Sequence, residues 1–463
     1  MINFLRIDEH LVKLKEYFKK STISFCDICV GTRYLWRKKF VAYFAEYKNT
    51  LILKETANGY SNAFYYPIGE NVQEALEQIE AFCVENNLPL LFCCIDNDTA
   101  LKLAERYLDV EIYNDRAWSD YIYSTEELIT LRGKKFSGQR NHINKFKSVY
   151  SDYQVVDLLD VTRAELDSFF VEYVEEKGEK NIGLEKEELL SVEQYVEKLK
   201  ELDQVGIAIK VDGRVIGITA GEILSDTLIV HVEKALKKYN GVYPTLANEF
   251  NKRYAVGLSK INREEDCGDM GLRISKLQYH PIEIKQKNFV LVKTLFDKIS
   301  SPIIKTERLT ITEILERDKK DYFRLYIDED LNKFWGYDYK TDCKEASEEY
   351  FFNFQNSLKE KKEEFSFAVR KGDKFIGELV LYNFTFKGEV EIGFRFFREF
   401  QKKGYAFESA SALMEYTKNV LGAKVIKCRC FKQNVESQNL IKKLGFNKDY
   451  ETQEKYFFVK KLK

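Results

Sequence analysis

The sequence predicts an α/β (α+β) chain of three units, each a mixed, mostly antiparallel sheet flanked by helices, with the first two units fused as a pair. One observation is length: 463 residues exceed a single core and suggest about three domains at roughly 150 residues each. The other is repetition, because a hairpin, a strand, a glycine turn, a helix, a strand and a further helix recur three times. We therefore expect domains at residues 1–130, 131–298 and 303–463.

The first unit is the most degenerate copy. Its pattern predicts strands at 40–47, 50–55, 63–66 and 88–95, and helices at 72–86 and 98–108. The turn before its first helix contains Pro67 and Glu70. Proline removes a backbone donor and glutamate repels an anion, so this turn predicts a poor phosphate site.

The second unit repeats the order with a clearer hairpin. Two apolar strands within 206–217 meet at a charged Asp212-Gly213 turn, and the pattern predicts a strand at 227–233, helices at 244–255 and 272–277, and a closing strand at 288–292. Its glycine turn is followed by the bulky Tyr243 and by Pro244, so this copy also predicts a poor anion site.

The third unit alone has a turn suited to phosphate. A hairpin at 367–377 and a strand at 390–396 lead into residues 401–406, before a helix at 407–420, a strand at 424–430, a helix near 434–440 and a closing strand at 455–459. Gly404 leaves room for an anion, and the helix start offers unpaired N–H groups and a positive dipole end. Lys402 and Lys403 add positive charge.

Bulk composition excludes several classes of protein. The 73 basic and 74 acidic residues nearly cancel, which argues against a global field for nucleic acid or anionic membrane. Nine scattered cysteines favour reduced thiols in the cytoplasm, and we interpret the lone Cys26-x-x-Cys29 pair as two half-buried thiols, with metal or redox chemistry as the minor alternative. With no signal-like start and no apolar run near ~20 residues, we expect a soluble chain without a membrane span.

The spacing Gln401-x-x-Gly404-x-Ala406, with its surrounding elements, resembles the pyrophosphate-binding signature of the GNAT superfamily of acyl-CoA N-acyltransferases. The region from about 304 to 463 most resembles the ribosomal-protein N-acetyltransferase type. The resemblance implies an enzyme that moves an acetyl group from acetyl-CoA to a primary amine, and three GNAT-like units overall. The cofactor contacts that it implies are Phe394, Arg395, Phe396, Gln401, Lys402, Lys403, Gly404, Tyr405, Ala406, Asn434 and Ser437.

We expect two catalytic roles, a base and an acid, in the third unit. Strand alternation places Glu391 on the face opposite Val390 and Ile392, and we favour it as the base, with Glu378 in reserve and a structural pairing of Glu391 with Arg395 as the alternative. The resemblance implies that Ser437 reprotonates the leaving thiolate, because Ile441 stands where many GNAT members have a tyrosine. Asn434 and Ser437 also suit helix capping.

Residues from about 4 to 293 resemble the phosphatidylglycerol lysyltransferase C-terminal-domain family, which is similar to Fem-type aminoacyltransferases with two fused GNAT-like folds. The resemblance lies in residues 131–146 and 264–276. In the second motif Arg273 suits a carboxylate or phosphate, or a structural pair with Asp266 or Asp269. A basic block begins in the first motif and consists of Arg132, Lys134, Lys135, Arg140, Lys145 and Lys147. The block suits a tRNA partner, or else pairing with acidic residues near 175–176 and 185–188.

The sequence therefore predicts a GNAT-type N-acetyltransferase whose N-terminal pair binds substrate or acts as a second transferase. The alternatives are an aminoacyl-tRNA-dependent transferase, or a recognition module without catalysis, in the N-terminal pair. The four histidines are not spaced as metal ligands, so no metal is expected. The aromatic and acidic stretch 328–361 suits a small-molecule or peptide amine, or plain packing, and the acceptor and oligomeric state stay open.

Overall fold

The computed structural model describes residues 2–57, 59–177, 182–335 and 347–462, and within them the strands form three mixed sheets flanked by helices. The predicted fold class is confirmed. Each sheet contains a parallel strand pair that is joined through a helix, together with antiparallel pairs. This strand, helix, strand crossover is the structural form of the threefold repeat seen in the sequence.

The first sheet has the strand order β1-β2-β3-β4-β6-β15-β7, in which β15 is Asn288–Val292, with β5 paired to β3. The elements of the N-terminal stretch are β1 (Leu5–Arg6), α1 (Leu11–Phe18), α2 (Val30–Leu35), β2 (Ala42–Tyr47), β3 (Thr50–Ala57), β4 (Tyr60–Phe64), β5 (Ile68–Gly69), α3 (Val72–Glu85), β6 (Leu90–Ile95), α4 (Asn97–Arg106) and β7 (Val110–Asn114).

The second sheet has the order β14-β8-β13-β12-β11-β10-β9. Its stretch contains β8 (Asp120–Ser124), α5 (Thr125–Thr130), α6 (Ser137–Val149), β9 (Gln154–Asp157), α7 (Arg163–Lys177), α8 (Ile182–Glu197), β10 (Val205–Val211), β11 (Arg214–Leu224), β12 (Thr227–Ala235), α9 (Val242–Tyr254), β13 (Lys260–Asn262), α10 (Met270–Leu277), β14 (Glu283–Lys285) and β15 (Asn288–Val292).

One strand lies in a different sheet from the one that the repeat predicts. The pattern places 288–292 at the end of the second unit, whereas β15 lies between β6 and β7 in the first sheet. The alternation of apolar residues identifies a strand, but it does not say which sheet that strand joins. The chain thus returns to its first sheet after completing its second.

The third sheet has the order β16-β17-β18-β19-β20-β21-β23-β22. Its elements are β16 (Ile304–Lys305), β17 (Thr310–Glu313), α11 (Lys319–Ile327), α12 (Glu329–Asn332), α13 (Glu348–Glu360), β18 (Glu364–Lys371), β19 (Lys374–Tyr382), β20 (Glu389–Phe396), α14 (Tyr405–Asn419), β21 (Val425–Phe431), α15 (Val435–Lys443), β22 (Asn447–Glu451) and β23 (Lys455–Lys461).

The chain divides into two compact units. One comprises Met1–Ile79, Leu91–Leu101 and Ile112–Val290 and holds the whole second sheet; the other comprises Glu80–Leu90, Lys102–Glu111 and Leu291–Lys463 and holds the third. In the second of these units, α14 packs its buried residues Leu413 and Met414 into a core with Ile392 and Ile426 of the central strands. Burial of these side chains fixes α14 against the sheet.

Among the described residues, no helix combines the length and apolar character that crossing a bilayer requires.

Candidate active site

Strands β20 and β21 separate after a short parallel ladder. Pairing covers only Glu389, Val390 and Glu391 of β20, opposite Val425 to Lys427, although β20 continues to Phe396 and β21 to Phe431. On its other side, β20 stays paired with β19 as far as Phe396. The backbone from Ile392 onward therefore has one edge without a ladder partner among the described strands, so that β20 and β21 form a splay.

A cavity of about 850 Å³ opens at this splay. Its wall includes Gly393, Phe394, Arg395 and Phe396 of β20 and, across the gap, Cys428 to Phe431 of β21. An added Cβ at Gly393 would meet Val380 Cγ1 at 2.8 Å and Trp335 Cη2 at 3.2 Å, so only glycine keeps this strand position open. The volume lies in the range of small-molecule sites.

The glycine turn lies at one end of the cavity. Gly404 has φ of +84° and is the N-cap of α14, so it adopts a left-handed conformation that favours glycine. Gln401 Nε2 donates to Phe396 O at 2.9 Å and closes the turn onto the end of β20. The first N–H groups and the positive dipole end of a fifteen-residue helix thus lie beside the cavity.

Arg308 supports this turn, and sequence reasoning missed it. Its Nη1 donates to Lys403 O at 3.2 Å and its Nε to Glu408 Oε2 at 2.7 Å, while Nη2 would lie 3.2 Å from a Cβ at Gly404. The Glu408 carboxylate holds Arg308 beside the helix start. The positive charge comes from a loop far away in sequence, which no local motif reveals.

The predicted turn lysines point to different partners. Lys402 lines the cavity, and its Nζ lies 3.0 Å from Glu436 Oε1 in a pair exposed to solvent. Lys403 Nζ donates to Glu399 O at 2.6 Å, and Lys403 is not among the described residues that line the cavity. A solvent-exposed ion pair is weak, so Lys402 can exchange Glu436 for another anion.

The start of α15 forms another part of the wall. Asn434 Oδ1 accepts from the Ser437 N–H at 3.1 Å, so Asn434 caps the helix, and both residues line the cavity. The capping alternative for Asn434 is thereby realised, because its side-chain oxygen already satisfies a first-turn donor. Ser437 keeps a hydroxyl at the cavity wall.

A buried ion pair backs the cavity. Arg395 Nη2 donates to Glu378 Oε2 at 2.6 Å, and Tyr322 donates to Glu378 Oε1 at 2.7 Å. The guanidinium lies over Trp335, 4.2 Å from the ring centre. Burial disfavours its charge, but Glu378, Tyr326 and Tyr322 together keep the pKa of Arg395 above its usual value. Arg395 therefore pairs with Glu378, the reserve base, and not with Glu391.

Glu391 is held by neighbours on the same face of the sheet. Asn383 Nδ2 donates to Glu391 Oε1 at 3.1 Å, and Arg429 Nε lies 3.4 Å from Glu391 Oε2. Glu391 is not one of the described residues that line the cavity. It lies in one cross-strand row with Tyr382 and Glu364, since Tyr382 is opposite both of them.

Glu364 is the titratable residue that sequence reasoning missed. It lies at the start of β18, lines the cavity and accepts from Ser366 Oγ at 3.2 Å. Burial and, after it, the Glu378 carboxylate raise the pKa of Glu364 to about 7. A perturbed carboxyl group in a cleft is a typical feature of an acid–base site. No local sequence pattern identifies Glu364, because it reaches the cavity through the pairing of three antiparallel strands.

The described aromatic residues of the stretch 328–361 lie in two places. Phe334 and Trp335 line the cavity, while Tyr350 and Phe351 pack in a separate apolar cluster with Tyr322. Tyr337 and Tyr339 lie outside the described residues. The stretch thus supplies both cavity wall and core.

The basic block of the N-terminal region is partly neutralised. Lys135 Nζ lies 2.7 Å from Glu127 Oε1 and Lys147 Nζ 2.8 Å from Glu249 Oε1. Arg140 donates to the backbone oxygens of Leu131 and Gly133. The expected acidic partners near 175–176 and 188 pair elsewhere, Glu176 with the N–H groups of Lys237 and Lys238, and Glu188 with Lys234. Four cations of the block have exposed positions, Arg132, Lys134, Lys135 and Lys145, and of these Lys135 is the one paired with Glu127 above.

Arg273 makes the structural ion pair that the sequence allowed. Its Nε donates to Asp266 Oδ2 at 2.8 Å and its Nη2 to Asp266 Oδ1 at 3.0 Å, in a two-pronged arrangement. Asp269 instead caps α10 by accepting from the Leu272 N–H. Arg273 is therefore engaged within the fold.

Cys26 and Cys29 differ from their prediction, since both are fully buried and not half-buried. Each lies in a polar cluster. Cys26 Sγ is 3.3 Å from Lys287 Nζ and from Asp120 Oδ1, and Cys29 Sγ is 4.0 Å from His231 Nε2. The fold brings a histidine to the pair from 202 residues away, a proximity that sequence spacing does not reveal.

Two family models match the chain. The model described as phosphatidylglycerol lysyltransferase, C-terminal, matches residues 26–291, and the model described as acetyltransferase (GNAT) domain matches residues 308–447. The chain is therefore a transferase built from these two parts. It belongs to the phosphatidylglycerol lysyltransferase C-terminal family and carries a GNAT acetyltransferase domain after it. Both predicted resemblances are confirmed.

Individual proteins are also similar to this chain. The uncharacterized N-acetyltransferase YnaD of Bacillus subtilis is 29% identical over 146 residues, which is 32% of this chain and 83% of that protein. An uncharacterized protein of Mycoplasmoides gallisepticum is 24% identical over 214 residues, 45% of this chain and 67% of that protein. A conserved protein of unknown function from Bacteroides thetaiotaomicron has a similar structure, with 27% identity, a TM-score of 0.57, and coverage of 63% of this chain and 100% of that one. The chain is an acyltransferase.

Proposed function

We propose that the C-terminal domain transfers an acetyl group from acetyl-CoA to a primary amine. The observation that carries the proposal is the splay between β20 and β21, which opens onto a cavity ending at the Gly404 turn. One site thus offers free strand backbone for a pantetheine arm and a helix N-terminus for a pyrophosphate. Relatives named as N-acetyltransferases support the same chemistry.

The cofactor contacts divide by the part of the molecule they would hold. Phe394, Arg395 and Phe396 would offer backbone groups to the pantetheine arm, with Asn434 at its far side. The pyrophosphate would meet the N–H groups that follow Gly404, with charge from Lys402 and Arg308 nearby. The remaining turn residues would shape that cradle: Gln401, Lys403, Tyr405 and Ala406.

The reaction we propose is direct attack. The neutral amine nitrogen attacks the thioester carbonyl carbon, the C–S bond breaks, and coenzyme A leaves as a thiolate. A carboxylate takes the proton that the amine loses, and the thiolate is protonated by the Ser437 hydroxyl or by water. N–H groups of the splayed β20 edge would stabilise the negative charge that develops on the carbonyl oxygen.

Two carboxylates compete for the role of base. Glu391 is the choice from strand alternation, and its carboxylate is already engaged by Asn383 and Arg429. Glu364 lines the cavity and has a pKa of about 7, close to the value that a base at neutral pH needs. We favour Glu364 because its side chain combines access with a matched pKa.

The test is an acyl-transfer assay on the full chain. Acetyl-CoA is incubated with a panel of primary amines, including polyamines, amino acids and peptides with free N-termini, and thiol release is followed together with the mass of the acetylated amine. We expect one class of amine to accelerate thiol release above the rate of hydrolysis. If no amine class does so while acetyl-CoA binds, the amine-acceptor proposal is wrong.

The N-terminal region would bind the acceptor or act as a second transferase. The family to which it belongs supports a transferase origin. The exposed cations Arg132, Lys134 and Lys145 are the feature that favours a tRNA-dependent activity over a pure recognition role.

A further inference from the structure

Three side chains from distant parts of the chain meet inside the first compact unit. Cys29 precedes α2, Glu222 lies on β11 and His231 on β12. His231 Nε2 is 3.7 Å from Glu222 Oε2 and 4.0 Å from Cys29 Sγ. The side chains of His231 and Glu222 have no exposed surface, and Cys29 is equally buried. A thiol, an imidazole and a carboxylate therefore converge in one buried location.

The cluster contains an unsatisfied acceptor. Glu222 Oε2 accepts from the Gly31 N–H at 2.8 Å and from Gln204 Nε2 at 3.1 Å. Glu222 Oε1 has no hydrogen-bond partner among the described residues, although it is buried. A buried carboxylate oxygen without a partner is costly, and such an atom calls for an explanation such as a bound ion.

The imidazole is oriented from its other side. His231 Nδ1 is 2.7 Å from Glu264 Oε1, which also accepts from Thr32 Oγ1 at 2.9 Å. If Nδ1 carries the proton and donates it to Glu264, the lone pair lies on Nε2, the nitrogen that faces Cys29 and Glu222. A carboxylate behind a histidine is the arrangement that orients metal-binding imidazoles.

The backbone makes room for this convergence at Gly31. A Cβ there would lie 2.3 Å from both Cδ2 and Nε2 of His231. Only glycine permits the segment between Cys29 and Thr32 to approach the ring so closely. The same glycine supplies the N–H that holds Glu222.

We propose that Cys29, Glu222 and His231 bind one zinc-type divalent ion. Zinc bonds of about 2.0–2.3 Å in a tetrahedral arrangement place neighbouring donors roughly 3.3–3.8 Å apart. The separations of 3.7 and 4.0 Å require only a small contraction. Sulfur, nitrogen and oxygen donors together suit zinc, and the second Glu222 oxygen or a water completes four bonds. Binding releases the thiol proton to solvent, because the thiolate is the ligand.

The neighbouring acidic cluster does not compete as an ion site. Asp120 and Glu265 surround Lys287, whose Nζ lies 2.8 Å from Asp120 Oδ1 and 2.5 Å from Glu265 Oε1, and Asp27 also pairs with it. The lysine ammonium already supplies the cation there. Cys26, 3.3 Å from that ammonium, therefore belongs to the lysine cluster and not to the metal site.

The test is titration of the reduced, chelator-treated full chain with Co²⁺ as a spectroscopic substitute for zinc. We expect one equivalent to bind with the near-ultraviolet absorption of a cobalt–thiolate bond, and added Zn²⁺ to abolish that absorption. Cys29→Ala removes the absorption and weakens binding at least ~100-fold. Cys267→Ala, which deletes an exposed thiol outside the cluster, keeps both.

A graded variant separates a metal site from a structural cluster. Glu264→Gln keeps the three ligands but weakens the support behind His231, so we expect affinity to fall roughly 10–100-fold while the thiolate absorption persists. Wild-type protein that binds no stoichiometric Co²⁺, or binds it with the absorption unchanged in Cys29→Ala, overturns the proposal. This wild-type measurement remains decisive even if a variant fails to fold.

Discussion

Glu364 and Glu391 differ in what surrounds their carboxylates, although both belong to one cross-strand row through Tyr382. Alternation along β20 singled out Glu391 by placing it on the face opposite Val390 and Ile392, since successive residues point to opposite faces. Alternation along one strand cannot reveal a residue two strands away. Identification of Glu364 requires the antiparallel register of the strands. Identification of its raised pKa requires the burial near Glu378 that the structure shows.

The pH dependence of turnover should identify the base. With a pKa of about 7, Glu364 is protonated and inactive at pH 6 and ionised above pH 7, so kcat/KM should rise with pH through that range. Glu364→Gln should remove this limb and lower kcat by about 100-fold or more. The control is Glu391→Gln, for which we expect a smaller loss with the limb retained; the reverse result would assign the base to Glu391.

The ionisation of Glu364 should also change the free energy of unfolding. Because the pKa of Glu364 is raised on folding, the folded state binds its proton more tightly, and stability falls as pH rises from about 4.5 towards 7. Glu364→Gln avoids this cost, so its free energy of unfolding at pH 8 should exceed that of wild type by no more than about 3 kcal/mol, with little gain at pH 4. Thermal unfolding at the two pH values measures this. An equal gain at both would mean that ionisation is not the cause.

At the scale of elements, the separation of two parallel strands decides what each unit can hold. In the third sheet the second residue beyond the last ladder pair is Gly393, and the cavity opens there. In the second sheet the matching residue beyond Ile229 is His231, which packs against Gly31 and Glu222. The sequence distinguished the second unit from the third only by their glycine turns. It did not predict the contact of residues 29–32 with β12, because that contact is a tertiary feature.

The start of α15 offers an element-scale prediction. Asn434→Ala should cost about 1 kcal/mol of stability because the Ser437 N–H loses its acceptor, whereas Asn434→Ser keeps a capping oxygen and most of the stability. If the Asn434 amide also binds pantetheine, both variants should weaken acetyl-CoA binding by a similar factor. Thermal unfolding and calorimetry on the same samples separate the two roles. Acetyl-CoA affinity that falls only in the alanine variant would mean that Asn434 acts only as a helix cap.

At the scale of the whole molecule, the sequence predicted three repeated units, and the described residues form three sheets that each contain a parallel crossover. The return of β15 to the first sheet was not predicted. Local periodicity is set by which face of a strand is buried, while sheet membership is set by tertiary packing that no short pattern encodes. For the same reason, the sequence shows Cys26 and Cys29 as an isolated pair, since short patterns do not encode their tertiary neighbours.

The basic block yields a prediction about partners. Replacing Arg132, Lys134 and Lys145 together by glutamate should leave acetyl-CoA binding unchanged, since none of the three is among the described residues that line the cavity. If the block holds tRNA, the triple variant should lose RNA binding and flatten its salt dependence, measured by electrophoretic mobility at several salt concentrations. A matched control reverses Lys135 and Lys147, which are already paired. Wild-type protein that binds no tRNA would end the tRNA-dependent alternative.

Calorimetric titration of acetyl-CoA into the full chain tests the central claim most directly. We predict one binding site of micromolar affinity in wild type, lost in Gly404→Glu, which places bulk and negative charge at the α14 start. Gly372→Glu is the matched control, because Gly372 also has a positive φ, of 59°, and a Cβ there would meet no described atom within 4 Å. Binding that survives in Gly404→Glu, or that is absent from wild type, would contradict a cofactor site at the splay of β20 and β21.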